Sequence, residues 1–179
     1  PFTIFGLMRQ ADPKTIVALL KDSFSETRGS LLKSGTAPSK GMNGMLVGNL
    51  FEEATSESVP RKTTVSPQMI SFRNLSSEDF SLVVKHPNAF TVLLPILRSY
   101  FECFSIVRNP LAVTLSWDST QADWRNGHVP VAEGLDRELL EGLQQRESVT
   151  ERQIFILAHY FRLTKKALSP QCVVRYEDI

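Results

Sequence analysis

An α/β fold with a central parallel sheet is predicted by three features of this chain. Four short runs are apolar throughout: residues 2–7 (FTIFGL), 81–85 (SLVVK), 103–107 (CFSIV) and 172–175 (CVVR). Continuous apolar character, as opposed to alternation, marks strands covered on both faces. Helix-patterned stretches lie between these runs, as βαβ connections require. Basic residues stand at or just beyond the ends of the runs: Arg9, Lys85 with His86, Arg108, and Arg175. In open parallel sheets that end of the strands is where ligands bind.

Taken in order, residues 13–21 read as a helix with Asp12 as N-cap and Pro13 in its first position. Residues 22–67 are rich in Ser, Gly, Thr and Lys, and only 44–51 (GMLVGNLF) has strand or core character. This is expected to be a long irregular insertion after the first helix, a flexible or lid segment. Residues 88–101 are patterned as a helix that Pro95 bends or delays. Pro110 opens another that runs through Trp117, and a further one is expected over 133–145. The clearest spans 150–167, with Thr150 and Gln153 as a capping box and Ile154, Leu157 and Phe161 on one face.

A chain of 179 residues fits one domain with a sizeable core, taken as 1–179. The formal charge of +1 gives no global basic field, which argues against nucleic acid as partner. No apolar run approaches the length of a membrane span. Cys103 and Cys172 fall in expected buried strands and read as two core thiols, favouring a reducing, cytoplasmic setting. No His/Cys group has metal-ligand spacing. The chain opens at Pro1 on an expected strand and stops at Ile179 inside a motif, so both ends read as cut.

Basic groups gathered on one sheet edge repel unless something negative sits among them, so a ligand with several phosphate-like charges is expected there. Arg175 has Glu177 and Asp178 beside it and reads as a local pair. Arg108 is different. Its nearest acids are Glu102 at the far end of its own strand and Asp118 one helix later. The Arg-Asn-Pro that follows starts a helix whose open N–H groups favour an anion, and Ser116 lies eight positions on. Arg108 therefore reads as an anion ligand.

The segment VRNPLAVTLSW resembles the arginine-to-serine segment of the sulfotransferase superfamily, whose members take 3′-phosphoadenosine 5′-phosphosulfate as sulfuryl donor. The resemblance implies a P-loop-like central sheet and assigns Arg108 and Ser116 to the donor's 3′-phosphate. VVRYEDI is similar to the family's Tyr-Glu-Asp strand end, which places Tyr176 beside the adenosine. VVKHP, followed by Leu93-Leu94-Pro95, resembles the family's Lys/His strand end, with His86 twenty-two residues before Arg108. The likeness covers 82–179 best. In this chain Lys85 directly precedes His86, whereas the cytosolic branch has one residue between them.

The opening FTIFGLMR resembles the first strand and the start of the phosphosulfate loop, but continues Gln10-Ala11-Asp12-Pro13-Lys14-Thr15. An aspartate at the N-cap satisfies the donors a phosphate would use and repels it. Either Arg9, Lys14 and Thr15 grip the 5′-phosphate in a rearranged loop, or the donor site is damaged. LLKSGTAPSKG, residues 31–41, contains the family's Lys-Ser-Gly-Thr string and reads as a flexible loop.

By resemblance, His86 is the general base toward a small-molecule or glycan hydroxyl (or amine) acceptor, and Lys85 and Lys14 stabilise the leaving phosphate. No metal is called for. Glu26 and Glu52 are the alternative bases. His128 and His159 read as incidental, and Trp117 and Trp124 as core or lid aromatics. Two rival readings stay open: a magnesium-dependent P-loop phosphotransferase, for which Asp178 is the only acid close to a strand end, and a sulfotransferase-like domain that binds without transferring.

Overall fold

The computed structural model describes residues 4–48, 50–53, 59–72 and 78–179. Helices and strands are mixed, as an α/β chain requires, but among the described residues the strands form two small sheets in place of the expected central one.

The first run is helical. Ile4–Met8 forms α1, whose Phe5 and Met8 are buried three residues apart while Leu7 faces solvent. A short apolar run is compatible with either element, and the three-residue spacing of its buried side chains decides for the helix. This overturns the strand expected over 2–7, of which residues 2 and 3 lie outside the described residues.

Helix α2, Pro13–Ser34, begins as expected. The Asp12 carboxylate accepts from the N–H groups of Lys14 (2.8 Å) and Thr15 (3.1 Å), with Pro13 in the first turn. It continues well past Lys21, burying Ile16, Val17, Leu20 and Leu31. The hydroxyls of Thr27 and Ser34 donate back to the carbonyls of Ser23 and Ser30, four residues earlier. The Arg28 guanidinium ties α2 to the carbonyls of Glu78 and Phe80. Gly35, at φ 65°, ends the helix with its N–H on Leu31.

The expected irregular insertion is therefore regular over its first part, 22–41, while residues 49 and 54–58 lie outside the described residues. After α2, β1 (Thr36–Gly41) pairs antiparallel with β2 (Ser66–Ser71), setting Ala37 against Ile70, both buried. The Lys-Ser-Gly-Thr string, expected in a loop, is the end of α2 and the start of β1. The apolar 44–51 stretch is not core: Met45, Leu46 and Leu50 are exposed.

Residues 81–85 join no ladder, and Val83 is 88% exposed, so the second expected strand is absent. Helix α3, Pro87–Leu97, buries Ala89, Val92, Leu93, Leu94 and Leu97 and contains Pro95. It stops short of the expected Phe101, and Arg98 at its end donates to the carbonyl of Ala167.

The other two runs pair in parallel as expected, over three residues each, but they are not covered on both faces: Ile106 and Val174 are exposed. Strand β3 (Ser105–Val107) lies parallel to β4 (Val173–Arg175), with Ser105 opposite Val173 and Val107 opposite Arg175. Helix α4, Pro110–Asp118, follows β3 with Asn109 as N-cap. The helix expected over 133–145 is broken into α5 (Pro130–Glu133) and α6 (Arg137–Gln144). Between them Gly134 lies so close to the Arg9 guanidinium that a Cβ there would clash with it.

Helix α7, Val149–Ala167, is capped two residues earlier than expected, by Ser148 and Glu151 in a reciprocal box. Gln153 is instead buried, and its amide donates to Asp118 and to the carbonyls of Trp124 and Arg125. The inward face of α7 carries Ile156, Leu157 and Ala167, whereas Ile154 is exposed. The main core gathers α1, α2, α3 and α5–α7, with Trp117 and Trp124 packed at its margin. Among the described residues no helix is long and apolar enough to cross a membrane.

Candidate anion-binding site

The carboxyl ends of β3 and β4 hold the best-formed cationic cluster of the expected site. Parallel pairing of Val107 with Arg175 brings the following residues, Arg108 and Tyr176, side by side. The Arg108 guanidinium carbon stands 4.8 Å from the centre of the Tyr176 ring. Stacking of this kind leaves the in-plane N–H donors of the guanidinium pointing outward. Tyr176 itself is half exposed.

Helix α4 opens at the same place. Asn109 caps it through Leu111, at 2.9 Å. The Asn109 N–H donates to the Glu177 carboxylate at 2.7 Å. That bond is the chief reason the Glu177 carboxyl is held below its ordinary range, with Arg175 and Arg108 adding lesser attraction. Arg175 pairs with Asp178 at 3.8 Å, in line with the local pairing expected for it. Two carboxylates thus sit among the cations. One of them, Glu177, occupies a backbone donor where an external anion was expected, and it also attracts Arg108.

Ser116 is half-buried on α4, seven residues beyond the Asn109 cap and so on the same helix face. At about 1.5 Å of rise per residue it lies roughly 9 Å along the axis from Pro110, a span an arginine side chain can bridge. Its carbonyl accepts from the Ser119 hydroxyl at 2.8 Å.

The expected phosphosulfate end is arranged differently. Arg9 follows a helix, not a strand, and packs against Gly134. The Thr15 hydroxyl donates to Asp12 at 2.7 Å, and Lys14 extends into solvent. The Thr15 hydroxyl first, then the N–H groups of Thr15 and Lys14, hold the Asp12 carboxyl below its usual range. The first turn of α2 is therefore already satisfied by a negative side chain, and a 5′-phosphate gains no cradle there.

His86 is an N-cap. Its Nδ1 accepts from the Ala89 N–H at 3.1 Å, and its ring packs 4.5 Å from Phe5. Burial, foremost, pushes its pKa below the ordinary histidine value, with Lys40 contributing. With Nδ1 used as acceptor, the neutral ring carries its proton on Nε2 and has no lone pair to spare for an acceptor hydroxyl. Lys85 beside it is exposed, as are Glu26 and Glu52.

His128 and His159 belong to the scaffold. His128 stands 3.3 Å from both Glu133 and Arg152. His159, buried, bonds Asp136 at 2.7 Å while Asp136 caps α6. Among the described residues no group of three or more His, Cys, Asp and Glu could hold a metal ion.

A cavity of about 590 Å³ lies at the opposite, amino end of the parallel pair, lined by Arg98, Glu102, Cys103, Ser169 and Cys172 among others. The crevice expected at the basic strand ends and this cavity are thus two different places.

No family model, curated protein or solved structure matches the chain. The geometry and the motifs stand alone.

Sequence reasoning missed Glu177 as partner of the α4 terminus. The available signal was an acid two residues beyond one parallel strand, facing the Asn-Pro that follows its neighbour.

Proposed function

We propose that the chain is a sulfotransferase-like α/β domain whose site is the Arg108–Tyr176 end of β3 and β4. That site takes the 3′-phosphorylated adenosine of 3′-phosphoadenosine 5′-phosphosulfate. One observation carries the reading: the guanidinium lies over the tyrosine ring, 4.8 Å from its centre, where α4 begins. Arg108 offers a charge-assisted fork to the 3′-phosphate, Ser116 adds a hydroxyl from the same helix face, and the Tyr176 ring offers a wall for adenine. The parallel pairing of β3 with β4 is also what supports the P-loop-like reading of the fold.

The reaction proposed is transfer of the sulfuryl group to a hydroxyl or amine of a small molecule or glycan, by in-line displacement and without a metal. His86 reaches the role of base by releasing the Ala89 N–H, with Lys85 adjacent to steady developing charge. The two free thiols suit a reducing, cytoplasmic setting.

A second reading is a domain that binds the nucleotide without transferring. The capped and negatively charged start of α2 favours it, together with the Nδ1 bond of His86. A magnesium-dependent phosphotransferase is less well supported, because the acids beyond the end of β4 are already engaged, Glu177 with the Asn109 N–H and Asp178 with Arg175.

Incubation with labelled donor and a panel of phenolic, alcoholic and sugar acceptors separates the first two. Product formation that His86→Ala abolishes supports transfer. Nucleotide binding with no product on any acceptor supports the binding domain.

A further inference from the structure

We propose that Cys103 and Cys172 form a reversible intramolecular disulfide across the base of the β3–β4 pair. Both thiols are free and half-buried, and both line the cavity at the amino end of these strands. The strands run parallel with Ser105 opposite Val173. Cys103 lies two residues before Ser105, and Cys172 closes the 3-10 turn Pro170–Cys172 directly before Val173, so the start of the ladder brings both cysteines to one end. They line the same cavity and are near enough for each to act on the other's charge, and a disulfide asks for Cα atoms about 4.4–6.8 Å apart.

The surroundings give the two sulfurs different parts. The Ser169 hydroxyl donates to the Cys172 sulfur at 3.6 Å. The Cys103 thiol is held protonated, chiefly by burial and secondly by the neighbouring Cys172. Cys172 is therefore the first to react. Its thiolate attacks a low-molecular-weight disulfide such as oxidised glutathione, releasing one glutathione thiolate and leaving a mixed disulfide. Cys103, losing its proton to solvent, then attacks the Cys172 sulfur and expels the second glutathione. Two protein thiols are oxidised and one glutathione disulfide is reduced to two thiols. The cavity supplies the room that the mixed disulfide needs.

The bond would lock the strands at the end opposite Arg108 and Tyr176 and does not depend on what those residues bind. The test uses the full chain, incubated with excess oxidised glutathione, denatured, alkylated and mapped by mass spectrometry. The expected product is a monomer lighter by two hydrogens, with the peptides of Cys103 and Cys172 joined, neither thiol alkylated, and both recovered on reduction. Cys103→Ser should instead leave Cys172 carrying glutathione. Alkylation of both thiols in the parent chain would overturn the proposal, as would separate glutathione adducts on each or a link between two chains.

Discussion

The helical core and the β3–α4–β4 unit are built by opposite means. Ala89, Ala132, Leu139 and Ile156, from four different helices, are wholly buried against one another. In β3, α4 and β4 no described side chain reaches that state, and Ile106 and Leu111 are each about two-thirds exposed. The core coheres by excluding water. The strand-end unit coheres by directed contacts: Asn109 on Glu177, Arg108 on Tyr176, and a three-residue parallel ladder. The proposed binding residues thus ride on a part of the fold with little apolar anchorage, where rearrangement around a ligand costs least.

The widest gap between the two regions should appear on truncation. Ile156→Ala is expected to cost about 2–5 kcal/mol in urea unfolding, because it opens a cavity among helices. Ile106→Ala should stay within about 0.5 kcal/mol of the parent. Equal losses would mean that the strand pair is buried in solution and that the contrast is false.

Next in size is a substitution that removes a polar group from the core. The Tyr160 hydroxyl is buried with no hydrogen-bond partner among the described residues, and burial raises its pKa strongly. Tyr160→Phe should therefore be neutral or stabilising by up to about 1 kcal/mol, since the buried hydroxyl's desolvation is uncompensated. A clear loss of stability would reveal a partner for the hydroxyl.

A pH effect should mark the junction of the two regions. The folded pKa of His86 is lowered, so the unfolded chain binds its proton more readily. The contribution of the neutral ring is then complete above the unfolded value near 6.5, and is lost as pH falls through the lower folded value. His86→Asn keeps a capping side chain without a titrating group. It should flatten the stability profile just below the unfolded value. An unchanged slope would assign the titration elsewhere.

The smallest effect is expected at Glu177. Its carboxylate adds negative charge beside Arg108 and Arg175. Glu177→Gln should tighten binding of an adenosine 3′,5′-bisphosphate several-fold in equilibrium titrations at low salt, and less at high salt. Weaker binding would make the carboxylate an organiser of the α4 turn first and a competing charge second.

What the sequence reveals follows the range of the forces involved. Asp12-Pro13 and Asn109-Pro110 announce helix starts because the capping contacts span two or three residues. The runs at 103–107 and 172–175 pair as expected. Those at 2–7 and 81–85 have the same local character but, in their described parts, lack a neighbouring strand, and a single run does not encode its neighbour. The capping box of α7 was legible in kind but not in frame, because Ser148 with Glu151 and Thr150 with Gln153 both fit the pattern. The buried bonds of Gln153 then settle the choice. At the candidate site, Arg108 was visible from its position after a strand. Its stacking on Tyr176 and the Glu177 bond to Asn109 join residues 68 apart, and no local pattern announces them.

The central claim is that Arg108 on its tyrosine platform recognises a doubly phosphorylated adenosine. Calorimetric titration of adenosine 3′,5′-bisphosphate into the parent chain and into Arg108→Ala tests it most directly. The account predicts micromolar binding to the parent that disappears in the variant while its unfolding midpoint stays put. No heat of binding to the parent, or equal affinity in both, would contradict it.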